Sequence, residues 1–217
     1  MNRGRPLPRL HVVTDDAVLG RSDALDVARA VVRTGGSRVA LHLRGPGTSG
    51  RRLHELAAAL VGPAAEAGAL LLINDRVDVA LVVGADGAHL GARSPTVADA
   101  RTVLGPEAVL GASAHSAAEV GGLTREGADY TFLGTVFPTP THPGRPGCGP
   151  AGVREAVAEA AGAPVVAIGG IGPDRVAGLR AAGAWGVAVL RGVWNAPDPG
   201  RAVVEFLNEV DPVENGT

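Results

Sequence analysis

Several polar residues of this chain fall where a run rich in Val, Leu or Ile stops. "LHLR" carries His42 and Arg44, "LLIND" ends on Asn74 and Asp75, "GASAH" carries Ser113 and His115, and Arg93 stands in "GARS". Side chains alternate between faces along an extended segment, so His42 shares a face with Arg44, and Ser113 with His115. These groups suit an anionic small molecule: guanidinium and imidazole donate to oxyanions, hydroxyls orient, and a carboxylate accepts or ligates a hard cation. The stretch "GTVFPTPTHPGRPGCG" adds Thr135, Thr139, Thr141 and His142 in a segment poor in hydrophobic side chains, which reads as the wall of a site. "AIGG" with Gly169 and Gly170, and "VLRG" with Arg191 and Gly192, would let backbone N–H groups approach an anion closely. A phosphorylated ligand is the expected partner.

Composition limits the chemistry. All 20 basic residues are arginine, so no lysine is present to form a Schiff base or act as a general base. Cys148 is the only cysteine, which rules out an internal disulfide and a cysteine-based metal cluster. A formal net charge of -2 gives no basic footprint for nucleic acid or an anionic membrane surface. No apolar run is long enough to span a bilayer, and no signal peptide is recognised, so a cytoplasmic protein is expected.

The elements that must position these residues follow from periodicity. Eight apolar runs, from "RLHVVTD" to "GVAVLRG", recur about every 20 to 25 residues. Segments of helical spacing lie between them, among them "ALDVARAVVRTG" and "RRLHELAAALVG", several closed by glycine. Eight strand-helix units in 217 residues predict a single (β/α)8 TIM barrel spanning 1–217, with its core over about 9–210. A doubly wound open sheet is the alternative. In a barrel the strand-to-helix loops converge at one mouth, and all the residues above sit at strand ends that feed it. His89, deeper in its run, and His11 and His54 read as structural.

Four longer stretches, "INDRVDVALVVGADGAHLG", "GASAHSAAEV", "GADYTFLGTVFPT" and "PVVAIGGI" with "GAWGVAVLRG", resemble the thiamine phosphate synthases and the related TenI-type thiazole tautomerases, from Leu10 to about Val193. The resemblance implies a barrel, a dimer and a phosphorylated thiazole ligand. A synthase joins a pyrimidine diphosphate to a thiazole phosphate and uses magnesium. Of that family's glutamine-x-arginine-x-lysine motif the chain keeps Arg44 but has His42 and Pro46. Asp75 matches one magnesium-binding aspartate, while Ser94 replaces the second. Thr139 and Thr141 match the threonine pair, followed by His142 in place of lysine, and Ser113 is retained. These departures point to the tautomerase, which aromatises a carboxythiazole phosphate by proton transfer and needs no cofactor. Its catalytic histidine is Thr135 here, which leaves His142 as the acid/base candidate and Arg44 or Arg93 to hold the carboxylate. A binder without catalysis is the third reading.

Overall fold

The computed structural model describes residues 6–139, 144 and 146–211. Eight parallel strands close in sequence order: β1 (Leu10–Val13), β2 (Val39–Leu43), β3 (Leu70–Asn74), β4 (Gly87–Leu90), β5 (Val109–Ala114), β6 (Tyr130–Gly134), β7 (Val165–Ile168) and β8 (Gly186–Val189). Closure is completed by β1 pairing with β8, Leu10 opposite Val187, so no strand edge is left open. The expected barrel is therefore the fold, and the open-sheet alternative is excluded.

Helices α1 (Asp16–Leu19), α2 (Ala24–Gly35), α3 (Gly50–Ala67), α4 (Val77–Val83), α5 (Val97–Leu104), α6 (Ala117–Arg125), α7 (Gly149–Glu159), α8 (Pro173–Ala181), α9 (Arg191–Trp194) and α10 (Pro199–Val210) cover the sheet. Their starts are written in the sequence. Ser49, Thr96, Ser116 and Asp198 each accept a backbone N–H of the first turn of α3, α5, α6 and α10. At the end of α3, Gly68 takes a left-handed φ of 77° and its N–H reaches the carbonyls of Ala64 and Ala65, which stops the helix before β3. The short helices α1 and α9, after the first and last strands, have too little periodicity to be read from sequence.

Alternation along each strand divides the core in two. Leu10, Val12, Leu41, Leu71, Leu110 and Val187 point outward and bury against the helices. The inner face packs Val13, Ala40, Leu70, Leu72, Val109, Tyr130, Phe132, Val166 and Ala188 into a filled interior. Three histidine rings, those of His11, His42 and His89, lie among Tyr130 and Phe132, with ring centroids 4.1 to 6.4 Å apart. Small residues make room for them. A Cβ on Gly111 would fall within the Tyr130 ring, so Gly111→Ala must displace a fully buried tyrosine. Overpacking of this kind is expected to cost roughly 1–3 kcal/mol, read as a lowered urea midpoint with an unchanged slope. An unaltered midpoint would show that the interior yields more easily than its packing implies.

Candidate functional site

At the C-terminal ends of the strands a cavity of about 450 Å3 opens to solvent. Its lining includes Arg44, Asn74, Asp75, Arg93, Ser113, His115, Thr135, Thr139, Gly169, Gly170, Arg191 and Gly192, so residues from seven strand ends meet in one site. Thr141 and His142 lie outside the described residues. His42 is the correction. It faces the barrel axis as alternation requires, but it is fully buried beneath the floor and lines no part of the cavity. Two positions along a strand separate it from Arg44, and that rise carries Arg44 into the mouth while His42 stays below.

The floor is polar. His42 Nδ1 lies 3.3 Å from Asn74 Oδ1, and His42 Nε2 lies 2.9 Å from His11 Nδ1. Beside them His89 Nδ1 meets the Tyr130 hydroxyl at 3.0 Å and its Nε2 meets Ser113 Oγ at 2.9 Å. Burial pushes the His42 imidazole down to about 3 and holds His11 and His89 well below the usual histidine range, so all three rings are neutral at pH 7. The spacing of His89 within its run assigns it to the core, yet its ring is part of the cavity floor. Its register opposite Asn74 is the signal that places it there, and register is not visible in a single strand.

The wall from β2, β3 and β4 is charged. Thr14 fixes the Arg44 backbone from both sides: its hydroxyl donates to the Arg44 carbonyl at 2.9 Å and accepts the Arg44 N–H at 2.8 Å. The Arg44 guanidinium has no hydrogen bond or ion-pair contact among the described residues. Asp75 sits in the left-handed region, φ 62°, and its Oδ1 accepts the Gly91 N–H at 3.0 Å and the Ser94 hydroxyl at 2.7 Å. Ser94 thus donates to Asp75 from the position where a second carboxylate is expected. Oδ2 of Asp75 makes no hydrogen bond among the described residues.

The wall from β6, β7 and β8 is made of backbone. Gly169 and Gly170 have φ of 108° and 64°, and a Cβ on Gly170 would lie 2.7 Å from the Pro138 carbonyl oxygen. Val136 N–H donates to the Ile168 carbonyl and Phe137 N–H to that of Gly169, each near 3 Å, which lays the loop after β6 along the one after β7. Arg191, just after β8, donates to Thr139 Oγ1 in the loop after β6 at 2.7 Å. His115 Nδ1 lies 2.7 Å from the Gly134 carbonyl, so that nitrogen carries a proton and donates it there. Cys148 is exposed, donates its backbone N–H to the Thr135 carbonyl, and has its thiol pushed up by partial burial.

A closed parallel barrel with an arginine-lined, glycine-walled well at its C-terminal mouth defines the class: a (β/α)8 enzyme scaffold whose site is built from strand-end loops. The family model described as thiamine monophosphate synthase (TMP-TENI) matches residues 10–193. The chain belongs to the thiamine monophosphate synthase/TenI family, a family of thiamine biosynthesis. It is 43% identical over 203 residues to a thiamine-phosphate synthase of Salinispora arenicola, covering 93% of this chain and 96% of that protein. It is 55% identical over 145 residues to the bifunctional ThiM/ThiE thiamine biosynthesis protein of Symbiobacterium thermophilum, covering 66% of this chain but 30% of that protein. Among solved structures, the thiamine phosphate pyrophosphorylase of Pyrococcus furiosus superposes with a TM-score of 0.81 at 34% identity, covering 93% of this chain and 95% of that one. No helix among the described residues is long and apolar enough to cross a membrane.

Proposed function

We propose that this chain is a thiamine-phosphate synthase, joining a hydroxymethylpyrimidine diphosphate to a thiazole phosphate with release of pyrophosphate. The observation that carries the reading is likeness to a named synthase over nearly the whole chain, 43% identical over 203 residues, and the well fits it with two anion-binding walls facing each other. In a closed eight-strand barrel β3 and β4 lie opposite β7 and β8, so Asp75 and Arg93 face Gly169, Gly170 and Gly192 across the cavity. Two anionic groups held apart need both walls: the diphosphate of one reactant and the phosphate of the other fit them, as the carboxylate and phosphate of a single carboxythiazole phosphate also would. The names of the relatives support the same activity.

The residue roles follow from placement. Gly169 and Gly170 offer backbone N–H groups to the thiazole phosphate, closed over by Arg191 and Thr139. Arg44 and Arg93 take the diphosphate, and as the bond to pyrophosphate breaks they hold the charge that leaves with it. Asp75, with one oxygen tied to Ser94 and Gly91 and the other turned to no protein donor, fits magnesium as a single carboxylate that shares the ion with ligand phosphate oxygens. Among the described residues no cluster of three metal-ligating side chains exists, so the ligand must bring the remaining donors. Magnesium, when bound there, would offset charge on the departing pyrophosphate.

A second reading, the thiazole tautomerase, is favoured by Ser94 in place of a carboxylate and by His115, a lining histidine whose Nδ1 is tied to the Gly134 carbonyl and whose Nε2 is the ring nitrogen left to move a proton. The two are separated by giving the purified protein each substrate set in turn, with magnesium and with EDTA. Pyrophosphate release that requires magnesium supports the synthase. Aromatisation of the carboxythiazole phosphate that survives chelation, seen by NMR, supports the tautomerase instead.

Gly170→Val tests the backbone wall. A branched side chain at φ 64°, driven against the Pro138 and Phe137 carbonyls, closes the approach to the N–H groups. Calorimetry is expected to show thiazole phosphate affinity at least about tenfold weaker, the loss of one or two charge-assisted hydrogen bonds. Unchanged affinity would place the phosphate elsewhere.

A further inference from the structure

Beneath the floor, the buried histidines make a chain whose hydrogen-bond direction is fixed at one end. His11 Nε2 lies 3.0 Å from the carbonyl oxygen of Pro8, which can only accept. That nitrogen therefore carries a proton. In a neutral ring the other nitrogen then accepts, so the 2.9 Å contact between His11 Nδ1 and His42 Nε2 requires a proton on His42 Nε2. His42 Nδ1 is left as an acceptor, and 3.3 Å away stands the side-chain amide of Asn74. Two acceptors cannot share that contact, so the amide must present its NH2 group to His42. Oxygen and nitrogen of an amide are assigned from the network around them, and His42 is the one hydrogen-bond partner of this amide among the described residues. With its NH2 turned down, its oxygen faces the cavity that Asn74 lines.

We propose that His11 and His42 are positioning residues that act as a one-way relay, holding Asn74 with its oxygen toward the cavity so that it accepts from a donor on the ligand. The donor is an N–H or O–H of the bound heterocycle; a ligand carbonyl at that spot is refused, because it would meet a second acceptor. The relay starts from a backbone carbonyl at the far end of the barrel, so ligand selection at the mouth depends on a residue, His11, that lines no part of the cavity. Neutral rings are a condition of the argument, and full burial of both meets it at pH 7. The ligand consequence rests on the synthase reading, with the pyrimidine placed on the floor at Asn74; the relay itself does not.

The test separates the two. In histidine-15N-labelled wild-type protein at pH 7.5 without ligand, long-range 1H–15N correlations are expected to show both His11 and His42 as the Nε2–H tautomer. A proton on His42 Nδ1, or an imidazolium at either position, overturns the relay. In His11→Phe, a ring that fits among Tyr130 and Phe132, His42 loses its acceptor and is expected to move toward the Nδ1–H tautomer. KM for the pyrimidine diphosphate should then rise about fivefold to tenfold, the worth of one hydrogen bond, with kcat little changed. His11→Gln, which can both donate and accept, should restore both readings. If the tautomers respond but KM does not, the relay stands and the placement of the pyrimidine at Asn74 is wrong. If His11→Phe does not fold, the wild-type tautomers alone decide.

Discussion

Between pH 7 and pH 5 the protein is expected to lose stability steeply, by up to about 6 kcal/mol, a large share of what a domain usually has. His11, His42 and His89 are neutral and enclosed in the folded barrel, chiefly through burial, with mutual repulsion among the rings and the charge of Arg44 adding to it for His89. In the unfolded chain each titrates near 6.5. A depressed folded pKa means that below about 6.5 the unfolded state binds more protons, so stability falls as pH falls. Each ring contributes at most about 1.4 kcal/mol per pH unit, and the three together about 4. The lowered carboxylates, Asp16, Asp23 and Asp78, titrate below this window and do not offset it. Urea unfolding at half-unit intervals from pH 7.5 to 5 measures the slope directly. His89→Phe should remove about a third of it, whatever the variant does to stability at pH 7.5. A stability that stays flat to pH 5.5 would mean that the rings carry protons in the folded state, contrary to their burial.

Arg44→Ala is expected to lower kcat for pyrophosphate release by about 10²- to 10³-fold, the usual effect of removing one preorganised charge-stabilising donor. The side chain makes no hydrogen bond or ion-pair contact among the described residues, its charge acting only at longer range on Asp16 and His89, and Thr14 holds its backbone on both sides, so the fold should be little disturbed. The loss should fall on kcat more than on KM, because negative charge on the leaving group grows in the transition state. Arg44→Lys should recover part of the rate, as a point charge without the bidentate fork. An Arg44→Ala enzyme with full turnover would assign the diphosphate to Arg93 alone or return the site to the tautomerase.

How far the sequence carries is seen at particular residues. Alternating periods of two and 3.6, together with the glycines that close several helical segments, give the barrel and the strand-end location of the site. Alternation tells which way a side chain faces but not how high it stands in the barrel, because height depends on stagger between strands. That is why His42 stands below the floor while His89, with its neighbour Asn74 across the register, reaches it. Thr14 is silent in the sequence for the same reason: its partner, Arg44, is 30 residues away. The change to Ser94 is legible as a lost carboxylate, but only the geometry shows its hydroxyl committed to Asp75.

The far end of the barrel is closed. Leu7 and Trp185 pack against the interior, Arg9 lies over the Trp185 ring at 4.6 Å, and the Pro8 carbonyl is taken by His11. Among the described residues such a well opens at one end. If one reactant rests on the Asn74 and His89 floor and another at the rim between Gly170 and Arg191, the deeper one is expected to enter first and its remnant to leave last. For a two-substrate reaction this turns architecture into kinetic order, visible as a product that competes with one substrate and not with the other.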